Sequence, residues 1–123
     1  GEVFSGFADP KGSELRPNYT FLITVYKPVT ANKSAYEHIT SEKTANDATG
    51  SPVYPIKSIE IAGVTGYQYD YDYTDTPQPF KNRDIFFVKN GLLYQIHFMS
   101  DLNKMDRYQQ DIDTIVNSFT VNE

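Results

Sequence analysis

Apolar and polar residues alternate along much of this chain, and twice the alternation gives way to a longer period. Tyr19–Lys27 reads YTFLITVYK, with Phe21, Ile23 and Val25 on one side and Leu22, Thr24 and Tyr26 on the other. β-Branched and aromatic residues at a period of two predict a strand. Glu2–Gly6 is expected to pair with it, joined by the polar stretch Ala8–Asn18. Lys57–Ile61 and Val64–Tyr73 read as two more strands around an Ala62-Gly63 turn. Asp84–Lys89 and Leu92–Met99 flank Asn90-Gly91, whose tolerance of positive φ suits a type I′ hairpin. Ile85-Phe86-Phe87-Val88 is apolar without a break, which predicts a central strand covered on both faces.

Helical spacing sets in at two places. Ser34-Ala35-Tyr36-Glu37 fits a capping box, in which the serine hydroxyl and the glutamate carboxylate each take an amide proton at the helix start. A helix is predicted over Ser34–Lys43, then a loop over Ala45–Pro55, where Gly50, Pro52 and Pro55 oppose regular pairing. A second loop, Thr74–Arg83, holds two prolines. Leu102, Met105, Tyr108, Ile112, Ile115, Val116 and Phe119 fall on one helical face, predicting an amphipathic helix over Leu102–Ser118 with an extended tail after it. The order is β-β-α-β-β-β-β-α. Short turns between successive strands imply an antiparallel sheet, and helices cover it: an α+β fold in one domain of 123 residues.

Charge and composition narrow the function. Sixteen acids against eleven bases give a net charge of -5, which argues against a nucleic-acid partner. No cysteine is present, so disulfides, thiolate metal sites and thiol nucleophiles are excluded. No run of apolar residues is long enough to span a bilayer.

Tyrosine clusters in one strand. In YQYDYDYTD, Tyr67, Tyr69, Tyr71 and Tyr73 fall on one face and Gln68, Asp70 and Asp72 on the other. Tyr69 and Tyr71, with the loop aromatics Tyr54 and Phe80, are candidates for a platform that stacks a sugar or receives a protein. Asp70, Asp72 and Asp75 are candidate hard-oxygen ligands for Ca²⁺, although strand carboxylates lack a coordinating loop. Between Ser58 and Phe80 there are four acids and neither lysine nor arginine. A buried Tyr face with a solvated Asp face is the simpler reading. His38 and Glu42, four apart on a helix, are too few for a metal, and His97 reads as a strand histidine satisfied by a neighbour. No nucleophile-elbow, zinc-protease, P-loop or dinucleotide motif is present, so a small hydrolase is disfavoured.

The closing segment NGLLYQIHFMSDLNKMDRYQQDIDTIVNSFTV resembles that of PsbP-like domains. A strand of the form G-x-x-Y (Gly91, Tyr94) runs into a long helix ending in Ser118-Phe119 with Val121 beyond. EVFSG…NYTFLITVYKP is similar to the early strands of the same family. The resemblance implies an α/β/α sandwich and a non-enzymatic binding or assembly role, without a cofactor. It also implies a secreted or lipid-anchored protein of the bacterial envelope. Its matched positions are packing positions, so it carries over no site residues. The family's leading Gly-Phe…Tyr-Pro…Trp segment is missing. That predicts an N-terminally truncated chain, or a sheet edge that another copy or chain completes. A protein partner is the first expectation and a glycan or small ligand the second.

Overall fold

The four apolar residues Ile85–Val88 sit at the middle of the sheet and explain its two-sided build. The structure, a computed structural model, describes the backbone of residues 2–5 and the whole of residues 21–121. Its strands are β1 (Glu2–Ser5), β2 (Phe21–Tyr26), β3 (Val29–Thr30), β4 (Lys57–Ile61), β5 (Val64–Tyr73), β6 (Phe80–Lys89) and β7 (Leu92–Asp101). The helices are α1 (Ala35–Ala48) and α2 (Gln109–Ser118), the latter preceded by a 3-10 turn at Met105–Tyr108. Six strands lie in the order β1-β2-β7-β6-β5-β4, all antiparallel, and short β3 pairs with β7.

Alternate residues of β6 serve opposite cores. Ile85 and Phe87 join Phe21, Ile23, Ile96 and Phe98 beneath Met105, Tyr108 and Ile112, forming the larger core under α2. Phe86 and Val88 face the other way, against Tyr69 and the α1 residues Ala35 and Ile39. Period-two alternation makes this division unavoidable, since neighbouring side chains on a strand point to opposite faces. Aromatic stacking holds the larger core: Phe21 lies on Tyr108 at 4.4 Å, and Phe87 on Tyr94 at 4.8 Å.

Most expected elements are present. The capping box forms, with Glu37 N donating to Ser34 Oγ at 3.1 Å and Ser34 N to Glu37 Oε1 at 3.1 Å. Asn90 and Gly91 take φ of 54° and 76°, as the hairpin requires. Ala62 takes φ 54° ahead of Gly63, and Lys89 Nζ donates to its carbonyl at 2.6 Å, tying the two hairpins together.

Boundaries moved where nothing local fixed them. Helix α1 continues to Ala48 rather than ending near Lys43, because no glycine or proline interrupts it until Gly50, which ends the run at φ +85°. Strand β6 begins at Phe80, so the proline loop is shorter than expected: cross-strand pairing with Tyr73 recruits Phe80–Arg83. The final helix starts at Gln109 because β7 runs on to Asp101 and the 3-10 turn intervenes. The stretch Ala8–Asn18 lies outside the described residues.

Gly66 allows β5 to sit close to its neighbours. A Cβ there would lie 2.9 Å from the Phe86 carbonyl oxygen and 3.0 Å from Phe87 Cβ. Gly66→Ala is therefore expected to lower stability by about 1–3 kcal/mol, the usual cost of overpacking. A urea titration would check it through a lower midpoint at an unchanged slope.

Candidate functional site

Beyond Ile85, the α2 face of the sheet changes from apolar to charged. Towards the start of β6 the inward positions are Arg83 and Lys81, and the facing positions on β5 are Asp70 and Asp72. Register therefore sets two acid–base pairs side by side. Arg83 Nε donates to Asp70 Oδ1 at 2.7 Å and Arg83 Nη2 to Asp70 Oδ2 at 3.0 Å, a bidentate fork. Arg83 Nη1 donates to Gln109 Oε1 at 2.8 Å, which links the pair to the start of α2. Lys81 Nζ lies 3.1 Å from Asp72 Oδ1 and 4.1 Å from the centre of the Tyr54 ring. Tyr54 Oη donates to Asp72 Oδ2 at 2.7 Å, and this bond raises the pKa of the phenol.

Backbone bonds hold Tyr54 in place. Asp72 N donates to the Pro52 carbonyl and Tyr54 N to the Asp70 carbonyl, each at 2.9 Å, so Pro52–Tyr54 lies along β5 as a short extension of the sheet. Clefts open on either side of the paired charges. One, of about 280 Å³, runs from Asp70 and Arg83 to Asn103, Met105 and Asp106. The other, of about 210 Å³, runs from Lys81 and Arg83 to Tyr54, Pro55 and Lys57. The first is lined by two acids and two bases, whereas the second carries three bases, Lys57, Lys81 and Arg83, against Asp70 alone.

The candidate residues separate into three places. Tyr54, Asp70 and Asp72 meet at these clefts. Tyr69 and Tyr71 are on the opposite face, stacked on each other at 5.2 Å, and Tyr69 is 1 % exposed beneath α1. Phe80 packs on Tyr73 at 5.2 Å at the end of the β5–β6 pair, and Asp75 is exposed in the loop between them. The tyrosine row is thus not a continuous exposed platform, because α1 covers its middle. The Asp face is not simply solvated either. Asp72 is 7 % exposed, and the acids that lack a basic neighbour along the chain find Lys81 and Arg83 across the strand pair. Among the described residues no group of three or more His, Asp or Glu is placed to hold a metal.

A second polar cluster lies under α1. Tyr69 Oη donates to Glu42 Oε2 at 2.7 Å and accepts from Asn46 Nδ2 at 2.6 Å. Asp84, 2 % exposed, lies on the same face beside Glu42, Gln95 and Tyr71, and its Oδ1 has no hydrogen-bond partner. Burial and then the Glu42 carboxyl push the pKa of Asp84 well above the usual carboxylate range. Burial likewise raises both phenols, with Glu42 adding to Tyr69 and Asp84 adding to Tyr71. His97 Nε2 pairs with Asn82 Oδ1 at 2.7 Å, and burial lowers the pKa of the imidazole.

The sequence marks none of Lys81, Arg83 and Asp84 as a site residue, and it offers Glu42 only as a partner for His38. The period-two placement of Lys81 and Arg83 ahead of an apolar strand was the available signal. Its meaning depends on register, which the long gap between β5 and β6 leaves open.

A model of the family described as PsbP-like protein matches residues 11–121. The chain belongs to the PsbP-like family. Two solved structures share the PsbP-like arrangement of this chain. The solution structure of CyanoP, the cyanobacterial PsbP of Synechocystis sp. PCC 6803, matches with a TM-score of 0.56 and 14% identity, over 97% of this chain and 81% of that one. The crystal structure of PA94 of Pseudomonas aeruginosa, a protein of unknown function, matches with a TM-score of 0.62 and 10% identity, over 84% and 72%. At these identities the likeness concerns the fold alone. No curated protein matches the chain. No helix among the described residues of this PsbP-like domain is long and apolar enough to cross a membrane.

Proposed function

We propose that this PsbP-like domain is a non-catalytic binding or assembly module of a bacterial envelope protein. Its contact surface is the charged end of the sheet around Tyr54, Lys81 and Arg83. The observation that carries the reading is the pair of clefts flanking two satisfied ion pairs. Arg83 and Asp70 are committed to each other, so neither is free to move a proton for a reaction. The exposed Tyr54, 39 % accessible, stands beside Lys81 and the largely buried Arg83–Asp70 fork. Tyrosine and arginine in a preformed concave patch are the residues that anchor protein interfaces. Family membership supports the non-catalytic reading, because PsbP-like proteins are generally not enzymes. The envelope location rests on the same membership and on the bacterial origin of both solved relatives.

Site-specific photo-cross-linking in the native full-length protein tests it. A photoreactive residue in place of Tyr54 is expected to give a discrete protein adduct in the source cell. The same residue in place of Lys27, distant along the sheet, is expected to give none. Equal labelling from both positions, or none from Tyr54, would sink the reading. A glycan or small ligand stacked on Tyr54 is the competing use of the same cleft. It would show as a melting-temperature rise with a glycan panel, since binding to the native state stabilises it by linkage.

A further inference from the structure

The two clefts at the charged end of the sheet carry opposite residual charge. Asp70 with Arg83 and Asp72 with Lys81 are paired, and their charges cancel. What remains in the first cleft is Asp106, and what remains in the second is Lys57. Among the described residues Lys57 pairs with no acid. Its ammonium group therefore decides which ligands the second cleft favours.

Backbone register brings Lys57 there. Val53 faces Tyr71 and Lys57 faces Gln68, so four residue steps on this edge match three on β5. The extra residue falls in Pro55-Ile56, and an insertion of this kind re-aims the side chains that follow it. Without it, strand alternation would put Tyr54 and Lys57 on opposite faces. With it, Tyr54 lies beside Asp70 and Lys57 beside Gln68, both on the α2 face, while Ile56 packs into the core under α1. Tyr54 and Lys57 thus line one cleft.

Other donors border the same space. The Gln68 amide has no hydrogen-bond partner among the described residues. Arg83 has five N–H groups and uses three of them on Asp70 and Gln109. Lys81 has three and meets one oxygen of Asp72. An occupant must supply acceptors and, to balance Lys57, one negative charge. A carboxylate supplies both. A phosphate group carries about -1.5 to -2 at neutral pH, more than one lysine offsets. Size narrows the source. At about 210 Å³ the cleft is smaller than the roughly 300–1,000 Å³ that encloses a drug-sized ligand. A single side chain reaching in from a docked surface fits it.

We propose that the second cleft is a carboxylate-binding site anchored by Lys57, and that the protein partner of this surface delivers an aspartate, glutamate or chain-terminal carboxylate into it. The site rests on the contact-surface reading for the existence of a partner and adds the chemistry by which that partner is recognised.

Photo-cross-linking from Tyr54 in the native full-length protein, repeated in Lys57 variants, tests the site. Lys57 is exposed on an edge strand, so its replacement is expected to move the melting temperature by only a few degrees. Lys57→Gln is expected to lower the adduct yield about tenfold, the usual loss for a hydrogen bond to a charged group. Lys57→Glu is expected to lower it further by setting like charges together, and Lys57→Arg to keep most of it. Undiminished yield in Lys57→Glu, or equal loss in Lys57→Arg and Lys57→Glu, overturns the carboxylate site and leaves the contact surface standing. No adduct from Tyr54 in the native chain overturns both. A Lys57-dependent rise in melting temperature with saturating glutarate, alongside an adduct indifferent to Lys57→Glu, assigns the carboxylate to a free small molecule and overturns its delivery by a partner.

Discussion

Replacing Phe87 with alanine is expected to cost about 3–5 kcal/mol, the usual loss for a buried phenylalanine truncated to a cavity. The ring is 0 % exposed. It stacks on Tyr94 at 5° between planes and meets Phe119 edge-on at 5.8 Å, so three elements lose a common partner: β6, β7 and the segment after α2. The site has little freedom to collapse. Strands β5 and β7 are fixed on either side of β6 by continuous ladders, and the close approach at Gly66 leaves β5 no room to shift inward. The melting temperature is expected to fall by roughly 10–25 °C, given a few degrees per kcal/mol for a domain of this size. Phe87→Leu retains most of the apolar volume and is expected to cost about half as much or less. Equal losses for the two variants would show that the ring geometry, rather than the filled volume, is what stabilises this core.

That expectation was legible in the chain, whereas the site was legible only in part. A run of four apolar residues beside Asn90-Gly91 is enough to place β6 centrally and to divide its side chains between two cores, because strand alternation is rigid and the hairpin fixes its register with β7. The capping box and the tyrosine alternation carried over for the same reason: each depends on residues within one turn or one strand. What failed to carry over depended on partners distant in sequence. Asp70 and Asp72 look like unpaired acids along the chain. Pairing of β5 with β6 sets Arg83 and Lys81 opposite them, and the loop between the strands does not reveal that register. Similarly, Tyr69 reads along the chain either as part of a ligand platform or, more simply, as a buried residue, and only the placement of α1 decides, because α1 has too weak an apolar stripe to announce which face it covers. Asp84 is the extreme case. It is a carboxyl that local reasoning would place in water, and only packing against the α1 side of the sheet buries it.

Arg83→Met is expected to lower stability by roughly 3 kcal/mol, near the bottom of the range for breaking a buried ion pair, because the Asp70 side chain keeps 19% of its exposure. The loss comes from Asp70, which would lose a bidentate partner and remain charged at the floor of a half-closed cleft, and from Gln109, whose carbonyl would lose its donor. Removing both charges at once should be far milder. In the double variant Asp70→Asn with Arg83→Met no charge is left unpaired, and more than half of the lost stability is expected to return. A double-mutant cycle built from the two single variants and the pair isolates this coupling. The neighbouring pair offers an internal contrast. Lys81 reaches solvent more readily than Arg83, and Asp72, although buried, keeps the Tyr54 hydroxyl as a donor, so Lys81→Met should cost less than Arg83→Met, roughly 1–2 kcal/mol. The two substitutions then separate stability from contact. If the charged end of the sheet is a docking surface, Lys81→Met should weaken cross-linking from Tyr54 while leaving the fold nearly intact. Under the same reading the Asp70→Asn, Arg83→Met pair should restore the fold without restoring the charge pattern a partner would meet. A cross-link from Tyr54 that survives both changes at full yield would show that the partner reads the aromatic rim and not the ion pairs beneath it.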